Sequence, residues 1–446
     1  MAGHDDGAPK ETSDAGLILL YPPDLSSSPR GFALGARAHV VGRDAGDDRF
    51  ALPMPSVSRM HAVVQRGRAG VAIKDLGSRN GTFVRGERVS ERALRSGDDV
   101  RIGDALFVFV DRDARQHLRY RLDGALDEGA EPITIEGLAG GWSMAQLSRE
   151  VDATARSAAA VLLLGETGAG KELVARGVHR ASRRRGPFVP VNCAALSPHL
   201  VESTMFGHER GAFTGADKRH DGLVRSAHGG TLFLDEIGDL GLDAQAKLLR
   251  TLESREVLPV GATKASVVDV RFVCATHRDL IALVRAGSFR ADLYARIAGH
   301  TISIPPLRAR KEDLLLLLRH LLARFDAPRR QASFAFVYRL VRHDWPFNVR
   351  ELAQAVQFAL SHATDDELRS QHLPKELGQA IAETASSPEV AAAPRKRSPS
   401  AVELRALMRE HGGNVSSVAR ALTRDAAQIY RWLRRYGIDP TSFRDE

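Results

Sequence analysis

Val161-Leu162-Leu163-Leu164 runs straight into Gly165-Glu166-Thr167-Gly168-Ala169-Gly170-Lys171-Glu172, and this junction constrains the fold more than any other stretch. A short, wholly apolar run offers no polar face to water, so it reads as a strand buried on both sides. The glycines of the turn tolerate backbone angles that other residues avoid, which lets N–H groups converge on one point. The segment from Lys171 to Ala181 reads as a helix whose N-terminus faces the same point. Strand, glycine-rich loop and helix in this order make a cradle for phosphate, with Lys171 reaching the outer phosphates.

Such a strand needs parallel neighbours and helices on both sheet faces. The runs Thr231-Leu232-Phe233-Leu234 and Val270-Arg271-Phe272-Val273-Cys274 supply them, so an α/β core is expected from about residue 141 to 305. Leu234 is followed by Asp235-Glu236. Asp235 suits Mg²⁺, directly or through water, and Glu236 suits polarising an attacking water. Residues Gly165 to Glu172 are therefore the expected ATP-binding loop. Glu172 stands where a Ser or Thr usually helps hold Mg²⁺, so the cation must lean on other ligands.

The rest of the 446-residue chain divides by rhythm. Residues 1–30 are rich in Asp, Ser, Pro and Gly and read as a mobile tail, with a first strand at Leu17-Ile18-Leu19-Leu20. Residues 31–115 carry short alternating or apolar runs broken by Gly, Asn and Asp, the pattern of an all-β sandwich. Residues 116–140 read as a linker. Residues 306–383 lose the strands and read as a helical lid, with an apolar helix over Leu314–Leu322. Residues 384–400 form a second, Pro-containing basic linker, and 401–446 an all-α module. No run of 18 apolar residues occurs and Met1–Lys10 is polar and acidic, so neither membrane span nor signal peptide is expected. Cys193 and Cys274 form no metal or redox spacing, which fits a reducing cytoplasm.

Between the phosphate loop and the acidic strand end lies Phe206-Gly207-His208-Glu209-Arg210, then Gly211-Ala212-Phe213-Thr214-Gly215-Ala216. Small residues on both sides of a Phe-Thr tip suit a loop that presents the tip to a partner. With these motifs the chain resembles bacterial enhancer-binding proteins, the AAA+ activators of sigma-54 RNA polymerase. The resemblance implies that Gly211 to Ala216 contacts sigma-54 through Phe213 and Thr214. It implies that Asn192 gates Glu236 between nucleotide states. It also implies that Arg290 and Arg296 reach the γ-phosphate of a neighbouring subunit, and that Arg350 reports nucleotide state from the lid. Three positions depart from the family's pattern. His277, in Ala275-Thr276-His277-Arg278-Asp279, replaces an Asn at the nucleotide. Phe347 replaces a Gly before Asn348, and Thr423-Arg424 replaces the turn Gly-Ile near the C-terminus.

Within the β-rich region, Gly42-Arg43, Ser58-Arg59-Met60-His61 and Asn80-Gly81-Thr82 occur in the order of a forkhead-associated (FHA) domain, which they resemble. Arg43 and Arg59 offer guanidinium groups, Ser58 a hydroxyl and Asn80 an amide, with Ser78 assisting, to a phosphothreonine peptide. The resemblance implies a buttressing role for His61. At the other end, 11 basic residues face 6 acidic ones from Arg395 to Glu446, which places +5 of the chain's +8 charge there. Asn414 caps one helix, a short turn follows, and a second helix begins near Ala426. This is the helix-turn-helix plan and resembles a Fis-type DNA-binding end. Ala426, Ala427, Gln428 and Arg431 would face bases, and Arg434 and Arg435 phosphates.

Together these readings describe a multidomain protein: all-β FHA sandwich, α/β AAA+ ATPase with helical lid, all-α helix-turn-helix. The expected function is a cytoplasmic sigma-54-dependent activator working with ATP and Mg²⁺ as a homo-oligomer, from dimer to hexamer. Its partners would be sigma-54 RNA polymerase, upstream enhancer DNA and a phosphothreonine-containing protein, such as a Ser/Thr kinase or its substrate. The alternative is a DNA-bound phosphopeptide-reading adaptor with weak or absent ATPase activity.

Overall fold

A computed structural model describes residues 14–22, 30–35, 37–44, 49–121, 126–197, 200–214, 216–375, 377, 401–421 and 426–443. Two compact units divide at Ala385/Ser386. In the first, the N-terminal sandwich pairs two sheets. One runs Gly31–Ala33, Gly16–Tyr21, Ala105–Val110, Asp99–Ile102, Thr82–Val84, Glu87–Val89. The other runs Arg49–Ala51, His39–Gly42, Ala62–Gly67, Gly70–Asp75, Glu91–Ala93.

Gly16–Tyr21 lies inside the first sheet, in antiparallel register with Ala105–Val110 through pairs such as Leu17↔Phe109 and Ile18↔Val108. The sandwich thus begins before residue 31, and the expectation of a tail up to residue 30 is corrected. The reason is long-range pairing with a strand almost ninety positions later in the chain, about the largest separation the domain allows.

Those two strands are buried on both faces. Leu17, Leu19, Phe107 and Phe109 point into the sandwich core with Val41, Leu52 and Ile73. Ile18, Leu20, Leu106, Val108 and Val110 belong instead to one apolar cluster with the lid residues Leu314, Leu318, Phe336, Leu340 and Trp345. An open face of an antiparallel sheet alternates polar and apolar residues; a continuous apolar strand means both faces are covered. Polar contacts edge the same junction. Tyr21 meets the Phe334 ring edge-on at 5.4 Å. The Arg101 guanidinium lies 5.3 Å from the same ring, and Lys311 approaches Asp99 at 3.9 Å. The segment expected as a linker is likewise packed. Ala114–Leu118 is a short helix, Tyr120 is buried beneath Trp142, and Ile135 inserts beside Val161 and Val174.

The parallel sheet that follows has the order Phe188–Asn192, Thr231–Asp235, Arg271–Thr276, Val161–Leu164, His300–Ser303. Successive residues of each strand feed opposite cores. Val161, Leu163, Phe233 and Val273 pack with the helices Trp142–Ala155 and Lys171–Ala181, and Leu162, Leu232, Leu234 and Cys274 pack with Leu242–Ser254. Both cysteines are free and buried, and burial pushes the Cys274 thiol up to about 12. The lid holds the helices Leu314–Arg324, Phe334–Arg342 and Asn348–His362.

The second unit has helices Ala401–Glu410, Val415–Ala421 and Ala426–Arg435 around Leu404, Val418, Ile429 and Leu433. Asn414 caps the middle helix through Oδ1, which accepts from the Ser417 N–H. The second linker lies outside the described residues, as does the turn holding Thr423-Arg424. Among the described residues no helix is long and apolar enough to cross a membrane.

Candidate functional site

The expected phosphate loop lies between the strand Val161–Leu164 and the helix Lys171–Ala181, with Gly168 and Gly170 at φ 76° and 108°. At those angles an L side chain is strained. At Gly168 a Cβ would also come within 2.1 Å of the Phe347 carbonyl oxygen and 3.0 Å of Arg350 Cβ. The lid turn therefore rests directly on the loop. Val349 N–H donates to the Gly168 carbonyl at 3.1 Å, and Asn348 Nδ2 donates to the Thr167 carbonyl at 3.0 Å. Glu166 accepts both guanidinium nitrogens of Arg308, which with burial offset by these bonds holds its carboxyl below the usual range.

Asn348 is fully buried at φ 53°, and its Oδ1 accepts from Leu307 N–H at 2.7 Å. Asn is among the few residues that tolerate this left-handed conformation. The preceding Phe347 takes φ −107°, with its ring turned outward. The turn closes in ordinary backbone at Phe347, so the absence of a glycine there costs it nothing.

Lys171 is buried, with Nζ donating to the Gly165 carbonyl at 3.1 Å and to Glu236 Oε1 at 2.9 Å. Glu236 follows the strand Thr231–Asp235 at φ 54°, ψ 51°. A non-glycine residue there costs on the order of 1–3 kcal/mol, so its surroundings must fix it. Glu236 Oε2 accepts from the His277 main-chain N–H at 3.3 Å and faces His277 Nδ1 at 2.8 Å. Burial pushes the Glu236 carboxyl up, but the bonds and charge of Lys171 and the bonds from His277 outweigh it and hold it below the usual range.

Asp235 is shifted the other way, raised by burial, while its Oδ1 accepts from the Glu236 N–H at 3.1 Å. A hard carboxylate at the strand end beside the phosphate loop fits Mg²⁺, which keeps several waters and takes one or two protein carboxylates. Glu172 is turned to Arg176 at 2.7 Å along the helix surface.

Asn192 lies beside Asp235 in strand register. Its Oδ1 accepts from the Ala194 N–H at 3.0 Å and so caps a short turn. Arg290 caps the helix Ala291–Ile297 at its N-terminus, and Arg296 lies in its last turn. Arg290 pairs with Asp292 at 2.7 Å, and Arg296 donates to the Leu252 carbonyl at 3.3 Å. Both side chains are solvent-facing, while Gln245 Oε1 fixes the Arg290 main chain at 2.8 Å.

The Gly211 loop closes on itself, with Gly211 N–H to the Ala216 carbonyl at 2.8 Å and Ala216 N–H to the Phe213 carbonyl at 3.0 Å. Ala216 is buried; Phe213 and Thr214 are exposed, with the Phe213 ring edge-on to His208 at 5.0 Å; Gly215 lies outside the described residues. A second projection supports the loop. Glu209 N–H donates to the Val260 carbonyl at 3.0 Å and Val260 N–H to the Gly207 carbonyl at 2.9 Å, from the hairpin Glu256–Val257/Ser266–Val267.

In the sandwich, Gly42 is required because a Cβ would meet the Arg59 carbonyl at 2.0 Å. That packing brings Arg43 beside Ser58, whose carbonyl accepts the Arg43 N–H at 2.9 Å. Arg43, Arg59 and Asn80 are exposed. Asn80 Nδ2 donates to the Ser56 carbonyl at 2.7 Å, and Ser58 Oγ accepts from Arg79 N–H at 3.2 Å. His61 is fully buried between the Ser58 N–H and the Gly81 carbonyl, and burial lowers its pKa, as a buttress requires.

Ser78 departs from the expectation. It is buried, donating to Asp75 at 2.6 Å and accepting from Gly81 N–H at 3.0 Å, so it shapes the loop from inside. The sequence reading missed exposed Arg88, whose Nε would lie 2.6 Å from a Cβ at Gly81. In the second unit Arg434 is exposed on the helix Ala426–Arg435; the side chains of Ala426, Ala427, Gln428, Arg431 and Arg435 lie outside the described residues.

Comparison with known proteins agrees with this division. Residues 139–303 match the sigma-54 interaction domain, 39–103 the FHA domain and 308–389 the AAA+ ATPase lid domain. The transcriptional regulatory protein ZraR of Escherichia coli K12 is 48% identical over 237 residues, covering 52% of this chain and 54% of ZraR. The regulatory protein AtoC of the same organism is 39% identical over 311 residues, 67% of each chain. A crystal structure of NtrX from Brucella abortus in complex with ATP superposes with a TM-score of 0.50 at 29% identity, over 69% of this chain and 70% of that one. The chain thus spans little more than half the length of ZraR.

Proposed function

The chain belongs to the family of sigma-54-dependent transcriptional activators and carries an FHA domain, and from that premise we propose that it is an ATPase remodelling the closed complex of sigma-54 RNA polymerase. The observation that carries this reading is the exposed Phe213-Thr214 tip on a self-closed, hairpin-supported loop in the same domain as the Lys171–Glu236 pair. Lys171 leaves Glu236 for the phosphates when ATP binds, because a triphosphate offers it more negative charge than one carboxylate. Asp235 would hold Mg²⁺, which would neutralise charge on the phosphates. Glu236 polarises the attacking water. Arg290 and Arg296, on an open surface, complete the site of an adjoining copy in a ring, a dimer assembling to a hexamer.

The FHA domain reads a phosphothreonine on a kinase or its substrate through Arg43, Ser58, Arg59 and Asn80. The C-terminal helices bind enhancer DNA as a helix-turn-helix, and the protein works in the cytoplasm. Phe347 itself keeps a negative φ of −107°, which weakens the support it gave the adaptor reading. ATP turnover measured against protein concentration tests the proposal. Specific activity should rise with concentration, and Arg296→Ala should abolish hydrolysis while nucleotide still binds. Thr214→Ala should keep hydrolysis and lose open-complex formation. Concentration-independent turnover, or normal transcription by the Thr214 variant, would sink the reading.

A further inference from the structure

The two oxygens of Glu236 are held unequally. Oε1 has the mobile cation of Lys171 at 2.9 Å. Oε2 has two donors from one residue, the His277 main-chain N–H at 3.3 Å and ring Nδ1 at 2.8 Å, with Thr276 Oγ1 at 3.5 Å. A ring nitrogen that close to a carboxylate oxygen carries the proton, since two bare acceptors would repel. His277 is itself anchored: it directly follows the strand Arg271–Thr276, and Thr276 Oγ1 accepts from the Arg278 N–H at 3.0 Å.

We propose that His277 is the positioning residue for Glu236: it pins Oε2, so that when phosphate draws Lys171 away Oε1 alone is freed to face the attacking water. The inference rests on the reading of Glu236 as the water-polarising base. It turns an apparent defect of this chain, an imidazole in place of an amide, into a working part. The geometry also specifies which replacement can substitute. Asn places a side-chain nitrogen two bonds from Cβ, where His places Nδ1. Gln places its nitrogen one bond further, where His places Nε2.

The test is steady-state ATP hydrolysis by the full chain at assembled concentrations, with nucleotide affinity measured separately using a fluorescent ATP analogue. His277→Ala and His277→Gln should lower kcat by roughly 10- to 100-fold, the scale of a misplaced general base, with KM and analogue affinity within about twofold of wild type. His277→Asn should recover most of the lost kcat. Glu236→Gln separates the two claims. If it turns over ATP normally, the base assignment falls and this inference with it. If it is inactive but His277→Ala keeps kcat within about threefold, the positioning role alone is overturned. Equal rates for the Asn and Gln variants, or a loss seen in KM and affinity in place of kcat, would also overturn it.

Discussion

Leu106→Ala is the sharpest probe of how the N-terminal sandwich meets the lid. Leu106 is fully buried, on the face of its strand turned away from the sandwich core and toward Leu314, Phe336 and Trp345. Truncation removes three carbons, at about 0.8 kcal/mol each for lost burial. The lid and sheet are both regular elements that cannot collapse fully into the gap, so a cavity term raises the total to about 3–5 kcal/mol. Were the sheet face open to water, the same change would cost no more than about 0.5 kcal/mol.

Urea unfolding of the full chain carrying Trp142→Phe and Trp432→Phe, followed by the fluorescence of the remaining Trp345, reads this. Trp345 belongs to the lid and lies in the same cluster, so its transition should move with the sandwich's own, detected by circular dichroism. A loss under about 0.5 kcal/mol, or an unmoved Trp345 transition while the sandwich unfolds early, would refute the shared core.

Arg43→Ala should weaken a phosphothreonine peptide by roughly 10- to 150-fold, the loss of one charge-assisted contact; calorimetry with phosphorylated and unphosphorylated peptides checks this, and equal affinities would remove the sensor. Burial lowers the His117 pKa to about 4. Between that value and its unfolded value near 6.5 the unfolded chain binds the extra proton. Stability from His117 is thus full above pH 6.5 and lost as pH falls toward 4, by up to about 3 kcal/mol. The difference in unfolding free energy between wild type and His117→Asn should shrink over that range, and a pH-independent difference would contradict it.

What could be read in advance was chemistry carried by neighbours in sequence. The phosphate loop, Asp235-Glu236 and the Gly211 loop each lie within a few residues, so each could be read as a local unit. The resemblance implied a buttressing His61, while the close backbone approach that requires Gly42 is visible only in the structure. The long-range features could not be read this way. The strand at Leu17–Leu20 was legible, but its place in the sandwich was not, because its partner is Ala105–Val110. The apolar runs Leu17–Leu20 and Leu106–Val110 read as strands, but nothing in them names the lid as the cover of a second face. The hairpin behind Val260 has strands of two residues, too short for any periodicity. Asn348 joins Thr167, 181 positions earlier, to Leu307, 41 positions earlier, and only its buried amide at positive φ marks it.

The contact of Gly168 with the lid turn, taken with the core that the lid shares with the sandwich, has a mechanical meaning. Phosphate loop, lid and sandwich form one train: the first is latched to the second by Val349 and Asn348, and the second is fused to the third through Leu106, Val108 and Trp345. A tilt of the lid would carry the sandwich, and with it the Arg43 and Asn80 loops, because the two share one core. Linkage is reciprocal. If a bound phosphoprotein favours one tilt by a given factor in affinity, the nucleotide that favours that tilt must tighten the phosphoprotein by the same factor. The phosphoprotein would then be a load on the ATP cycle as well as its trigger, and its residence time would keep time with hydrolysis.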